Sequence, residues 1–424
     1  MAPTRRSRGE TGESPAGYLG AHRADLLERA EVLIGFDTAT PTGGTGGAVR
    51  YLTSELADLG VEIERVATDP AKPNLVARLP GRREETLLYV AHVDTGPFDT
   101  AEWEHDPLCE RVERNGETRL YGRGATDMKG ALAAMVETAR AYVETDTQPP
   151  VSLAFAFVSD EEIGGDAGTP AVVDHLDADG CIVGETTCTG RASVTVADRG
   201  SVWLTLGAEG VTAPGSRPWR GENAIDRLYA AVTEIRERVG TRSIEIDDAV
   251  RPVIDETVAF YEEQADADTV RGWFERPSIN LGTIEGGTAI NAVPASATAE
   301  IDIRLPPGVD TGVMIEELRA CVEGCPGVRI TDTAWSVGTC EGASEPIVEA
   351  TVDIAESVLG EQVYRRCATG GSDAKTLRNA GVPTIEFGVG TDTARAPDEY
   401  TTAAALLATA QTYTRLPFTF ASRV

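Results

Sequence analysis

Apolar positions along the chain fall into alternating helical and strand rhythms. Leu26, Leu27, Ala30, Val32, Leu33 and Ile34 make an amphipathic helix, closed by the turn residues of TATPTGGTGG. A second helix is expected over 48–59, stopping at Gly60. Apolar runs then predict strands at 61–66, 74–79 and 86–91. Residues 127–143 read as helix, 151–158 as a buried strand and 180–183 as another. Such alternation predicts an α/β layered domain built on a mostly parallel central sheet.

Near Asp198 the rhythm restarts. A strand at 201–208, a helix at 223–238, strands at 278–283 and 297–304, a helix at 312–322 and a strand at 328–333 spell β-α-β-β-α-β. That order is the ferredoxin-like split motif. It carries an acidic, helical insert over 241–276. Helix 346–359 and strand 384–388 then return to the first pattern. The organisation expected is a first domain of residues 19–197 and 338–424, interrupted by a second at 198–337, with residues 1–18 a disordered tail.

Composition changes this picture in one respect. The apolar and charged fractions, 41% and 25%, are ordinary for a globular protein, but 68 acids against 38 bases leave a net charge of −30. A surface that negative repels nucleic acid and anionic membrane, so neither is expected as a partner. Only three of the bases are lysines, Lys72, Lys129 and Lys375. Acid excess with lysine scarcity points to a halophilic protein kept soluble in concentrated salt. No apolar stretch approaches membrane-spanning length, and the basic N-terminus has no apolar segment behind it to make a signal peptide. Seven scattered cysteines without a CxxC fit reduced thiols and a cytoplasmic location.

The candidate chemistry sits where apolar runs end. TLLYVA runs directly into His92-Val93-Asp94, VSLAFAFV into Ser159-Asp160-Glu161-Glu162, and CIVG into Glu185, while Asp127 opens a helix after the turn YGRGAT. Ligands of open parallel sheets bind at the carboxyl ends of strands, so these groups converge on one rim. Imidazole nitrogen with carboxylate oxygen suits zinc, although carboxylate-rich sites also accept cobalt or manganese. His92 and Asp94 lie two apart on a strand and share a face; His92 is read as a metal ligand whose other ring N–H meets Asp94. Of Glu161 and Glu162, one binds metal and the other serves as a base for a metal-activated water. His22 and His175 read as structural or exposed, and Cys109, Cys181 and Cys188 as buried small hydrophobes. GRGATDMKG lacks the GK[ST] ending of a phosphate loop, so nucleotide binding is not expected.

LYVAHVDTGP, LYGRGATDMKG, FVSDEEIGGDAG, VGETT, GENAID, INAVPA, DIRLPPG, GGSDAKTLRNAGVPTIEFG and APDEY follow one another in order. Together they resemble the zinc aminoacylases and carboxypeptidases, the family of succinyl-diaminopimelate desuccinylase and acetylornithine deacetylase. The resemblance implies a catalytic zinc-hydrolase domain interrupted by a ferredoxin-like lid through which two copies form a homodimer. It implies His92, Asp127 and Glu185 on one zinc, Asp127 bridging to a second zinc that also carries Glu162, and Glu161 as general base with Asp94 beside His92. It further implies Asn291, Arg304, Gly371 and Ser372 as groups that hold the substrate. The activity implied is cleavage of the amide bond of an N-acyl amino acid or small peptide.

Two positions depart from that pattern. The family places a histidine, the second zinc's last ligand, where this chain has Arg395 in TARAPDEY; a guanidinium has no lone pair to offer. The family's lid histidine, which reaches the neighbouring subunit's site, is replaced by Pro214. Three arrangements follow. One zinc on His92, Asp127 and Glu185 does the work, with Arg395 pairing with Glu162 or steadying the developing oxyanion. Or the chain is a catalytically impaired paralogue that binds an amino-acid-like ligand without turnover. Or another residue, such as His105 in WEHDP, supplies the missing ligand and two zincs bind. Intact Glu161, Asp94 and first-zinc ligands favour the first.

Overall fold

The computed structural model describes residues 14–424, which form two compact units. The first comprises the described residues up to Val196, with Ala343–Arg365 and Ser372–Val424; the second comprises Ala197–Gly342 and Arg366–Gly371. A helix over Pro15–Ala21, capped by Ser14 and burying Tyr18 and Leu19, occupies part of the stretch expected as tail. The rest of that expectation, residues 1–13, lies outside the described residues.

The large sheet of the first unit has eight strands. Their order is Glu62–Val66, Asn74–Leu79, Ser152–Val158, Thr86–His92, Gly180–Val183, Thr384–Glu386, Ser193–Asp198 and Tyr364–Ala368. The middle four are parallel and the strands paired on either side of them run antiparallel. Every residue of the central strand from Leu87 to His92 is buried, as expected where helices cover both faces of a parallel sheet. Its register pairs His92 with Val158, so His92 and the Ser159–Glu162 segment leave the sheet at the same rim. Helix Lys129–Glu144 packs against Ala403–Phe420 and Arg23–Ile34. The polar ends of the buried tyrosines are satisfied: Tyr89 and Tyr142 donate to the carbonyls of Tyr413 and Thr414 at 2.8 Å, and Tyr413 donates to that of Phe387 at 2.6 Å.

A smaller sheet of Glu110–Arg114, Glu117–Tyr121 and Tyr400–Thr402 was not anticipated. Half of its hairpin's residues are charged and only Val112, Leu120 and Tyr121 are apolar, so it gives no apolar rhythm. The readable signal was the turn, Asn115-Gly116, both residues with positive φ, the pair that favours a two-residue hairpin loop.

The second unit is a four-stranded antiparallel sheet in the order Ser278–Gly286, Ser296–Leu305, Gly200–Glu209, Val328–Ser336. Helices Ala224–Ile235 and Thr311–Glu323 pack on one face, around a core of Val202, Leu204, Leu206, Leu228, Ile301 and Leu318. This is the ferredoxin-like order, with helices Arg251–Phe260 and Ala267–Glu275 inserted. Among the described residues, none of the seven cysteines is in a disulfide and no helix is long and apolar enough to cross a membrane.

Candidate metal centre

Strand Thr86–His92 delivers a fully buried imidazole. Its Nδ1 faces the main-chain carbonyl of Asp94 at 2.8 Å, which leaves Nε2 as the free ligand atom. Spacing alone placed the Asp94 carboxylate on that ring nitrogen; in the structure it stands 3.9 Å away. It instead accepts the backbone N–H groups of Glu161 at 3.3 Å and Glu162 at 3.0 Å, holding the loop that carries both acids.

Three carboxylates surround Nε2. Asp127 Oδ1 lies 3.3 Å away, Glu185 Oε1 3.7 Å and Glu161 Oε2 4.0 Å. Two overlapping donor sets, His92–Asp127–Glu162 and His92–Glu161–Glu185, each have atoms within 4.8 Å of one another. Burial disfavours charge on His92, yet Asp127, Glu161 and Glu185 outweigh it and hold the imidazole well above its usual pKa. Burial, then the neighbouring acids, pushes Glu185 far above the carboxylate range, raises Glu161, and brings Glu162 to about 7.

This excess of buried negative charge fits a cation. So do three buried atoms, His92 Nε2, Asp127 Oδ1 and Glu162 Oε1, none of which has a hydrogen-bond partner. The donor set of one imidazole and several carboxylates fits zinc, with cobalt or manganese as alternatives.

Arg395 comes from the other side. Its Nη2 is 2.5 Å from Glu162 Oε2 and its Nε 3.5 Å from Asp127 Oδ2. Asp127 thus turns one oxygen toward His92 and the other toward the guanidinium. The Arg395 side chain is 60% exposed while that of Glu162 is 2% exposed, so the cation reaches in from solvent to a buried anion. His105 is engaged elsewhere: its Nδ1 lies 3.2 Å from Glu110 Oε2, its ring stacks on Tyr121, and it belongs to neither donor set.

Of the residues expected to hold substrate, Ser372 is in the first unit with the acids above. Its hydroxyl caps helix Asp373–Asn379 and donates to Glu386. Asn291, Arg304 and Gly371 belong to the second unit. There Arg304 Nε donates to Asp302 at 2.9 Å, the Asn291 carbonyl accepts from Gly215 N, and Pro214 bridges to Ala292.

Sequence reasoning missed Glu399, although it lies in the motif APDEY. Its fully buried carboxylate accepts the N–H groups of Thr126 at 3.0 Å and Asp127 at 3.1 Å through one oxygen. The other oxygen meets Arg123 Nη1 at 2.7 Å and Arg395 N at 3.3 Å, and Arg123 Nη2 reaches the Arg395 carbonyl at 3.1 Å. One anion therefore fixes both the Asp127 backbone and the Arg395 backbone. Replacing Glu399 by Gln is expected to weaken metal affinity roughly 10- to 100-fold. Titrating metal into the metal-free variant tests this; unchanged affinity in a folded variant would show that the Asp127 turn stands without Glu399.

Residues 88–418 match the family described as Peptidase family M20/M25/M40. The succinyl-diaminopimelate desuccinylase of Caulobacter sp. (strain K31) is 31% identical over 392 residues, covering 88% of this chain and 90% of its own length. That of Gluconacetobacter diazotrophicus is 29% identical, covering 94% and 97%. Among solved structures, an M20 family metallo-carboxypeptidase from Sulfolobus solfataricus superposes with a TM-score of 0.78 at 19% identity, covering 94% of this chain and 99% of the other. A dinuclear metal-binding M20 peptidase from Bacillus subtilis gives 0.67 at 15%, covering 96% and 100%.

Proposed function

The chain belongs to the M20/M25/M40 peptidase family, a family of metallohydrolases of peptidase and deacylase type, and from that premise we propose that it hydrolyses the amide bond of a small N-acyl amino acid or peptide using one metal per chain. The observation that carries this reading is the guanidinium of Arg395 against Glu162 and Asp127, where a second cation would otherwise balance them. His92, Asp127 and Glu185 would hold the single metal, zinc or, in its place, cobalt or manganese.

When bound, the metal supplies Lewis-acid polarisation and can bring the pKa of a water to about 7. The chain's own residues do the rest. Glu161, its proton affinity raised by burial, takes a proton from the attacking water and passes it to the leaving nitrogen. Asp94 keeps Glu161 in place through its backbone N–H. Arg395 pairs with Glu162 and opposes the burial that raises its pKa, and its exposed guanidinium would steady the oxyanion that develops at the carbonyl. Ser372, in the same unit as these groups, would hold the substrate's backbone. The second unit would carry the dimer contact, since its edge strand Ser278–Gly286 is paired on one side only. The scattered cysteines without a CxxC support a reducing, cytoplasmic setting.

The test is metal content per chain, measured at high salt, alongside hydrolysis of a panel of N-succinyl and N-acetyl amino acids and dipeptides. One metal with turnover is the expected result. Two metals with turnover would overturn the single-metal reading. Bound amino-acid-like ligand without turnover would leave the impaired paralogue as the correct reading.

The charge of −30 supports a second expectation. Raising salt from about 0.1 M to about 1 M shortens the screening length from roughly 10 Å to roughly 3 Å and relieves self-repulsion. The melting temperature should rise over that interval; a flat or falling value would remove the halophilic reading.

A further inference from the structure

Glu161 and Glu162 lie on a loop with little apolar anchorage. Ile163 is 56% exposed, Gly164 has a positive φ, and the segment from Asp160 to Gly168 contains three glycines. Something other than core packing must set the position of this loop, and a general base is effective only when its position is set closely. Besides Asp94, the fixing groups come from the segment Lys72-Pro73-Asn74.

Asn74 is fully buried. Its Oδ1 accepts the N–H of Ser159 at 2.8 Å and its Nδ2 donates to the carbonyl of Ala167 at 2.7 Å, so one amide closes the loop at both ends. Ser159 Oγ returns a bond to the Pro73 carbonyl at 2.9 Å. Lys72 Nζ pairs with Asp160 Oδ1, the residue directly before Glu161. The other oxygen of Asp160 meets the N–H of Ala167 at 3.3 Å. Asp160 itself is buried at positive φ, folded over Gly165, where a Cβ would stand 1.9 Å from its carboxylate. In a chain whose bases are otherwise arginine, one of three lysines is placed on this acid. A compact ammonium suits a single buried carboxylate oxygen better than a forked guanidinium does. None of these bonds goes to His92, Asp127 or Glu185.

We infer that Lys72 and Asn74 are positioning residues that hold the Asp160–Ala167 loop, and with it Glu161, in reach of the reacting water. The inference rests on the assignment of Glu161 as base. It separates two properties: loosening the loop should slow the chemical step without weakening the metal, because the three metal ligands are carried by other segments.

The experiment uses the full-length, metal-loaded protein. Lys72→Met is expected to lower kcat about 10-fold with KM for the N-acyl amino acid, metal affinity and melting temperature near those of the parent; Lys72→Arg should restore part of the loss. Asn74→Asp keeps the acceptor for Ser159 and loses the donor to Ala167, and should move kcat in the same direction. In a Glu161→Gln background Lys72→Met should have no further effect, because two residues acting through one base are not additive. An unchanged kcat for Lys72→Met, or equal losses with and without Glu161, would overturn the inference. Full turnover in Glu161→Gln alone would instead overturn the assignment of the base, whatever Lys72 does.

Discussion

Glu161→Gln loses turnover by roughly 10²- to 10⁴-fold, the usual contribution of a general base, while keeping its fold and its metal. The substitution is nearly isosteric and removes only the ability to take a proton. Glu161 lies 4.0 Å from His92 Nε2, farther than Asp127 or Glu185, and its backbone is pinned by Asp94 without use of its carboxylate. Its carboxylate therefore remains available to a substrate. The competing arrangement is also present in the geometry, since His92, Glu161 and Glu185 by themselves form a compact donor set. Metal affinity decides between them. A variant that binds metal as the parent does but turns over poorly identifies a base; a variant that has lost its metal identifies a ligand.

Arg395→His should take up a second metal, moving metal content from one to two per chain. The imidazole would complete a set with Asp127 and Glu162, whose Oε1 has no partner at present. Arg395→Met separates charge from coordination. It strands the buried Glu162 carboxylate and removes the guanidinium proposed to steady the oxyanion, and turnover should fall roughly 10²- to 10³-fold, as when an oxyanion donor is lost. Metal analysis and kcat on the two variants check both statements. Unchanged turnover in Arg395→Met would mean that the guanidinium only occupies the space, and failure of Arg395→His to gain metal would mean that the second position is no longer shaped for one.

The acids of this centre were legible because they follow buried strands. TLLYVAH and VSLAFAFV are long enough to be read as parallel core strands, and the residues after them must emerge at the same edge. What each side chain does on arrival was less legible. Asp94 turns its carbonyl, not its carboxylate, to the imidazole, a choice made by backbone torsions that spacing does not encode. Glu399 and Asn74 stayed hidden for a related reason: apart from the Arg123 guanidinium on Glu399, their partners are main-chain N–H and C=O groups, which every sequence possesses and none advertises. The second unit was read well where its strands alternate, as in SVWLTLGAE, because the pattern of buried and exposed positions has the strand period. The charged hairpin at 110–121 has no such alternation and passed unread.

The contacts of Glu399 with residue 395 are to the backbone: it takes the Arg395 N–H directly and reaches the carbonyl through Arg123. The frame is thus blind to the side chain it presents. Exchange between arginine and histidine at this position needs no compensating change elsewhere in the frame, so if Arg395→His takes up a second metal, the number of metals per chain is a trait that a single codon can alter. A lineage living where divalent metal is scarce could halve its requirement in one mutational step and regain it in another.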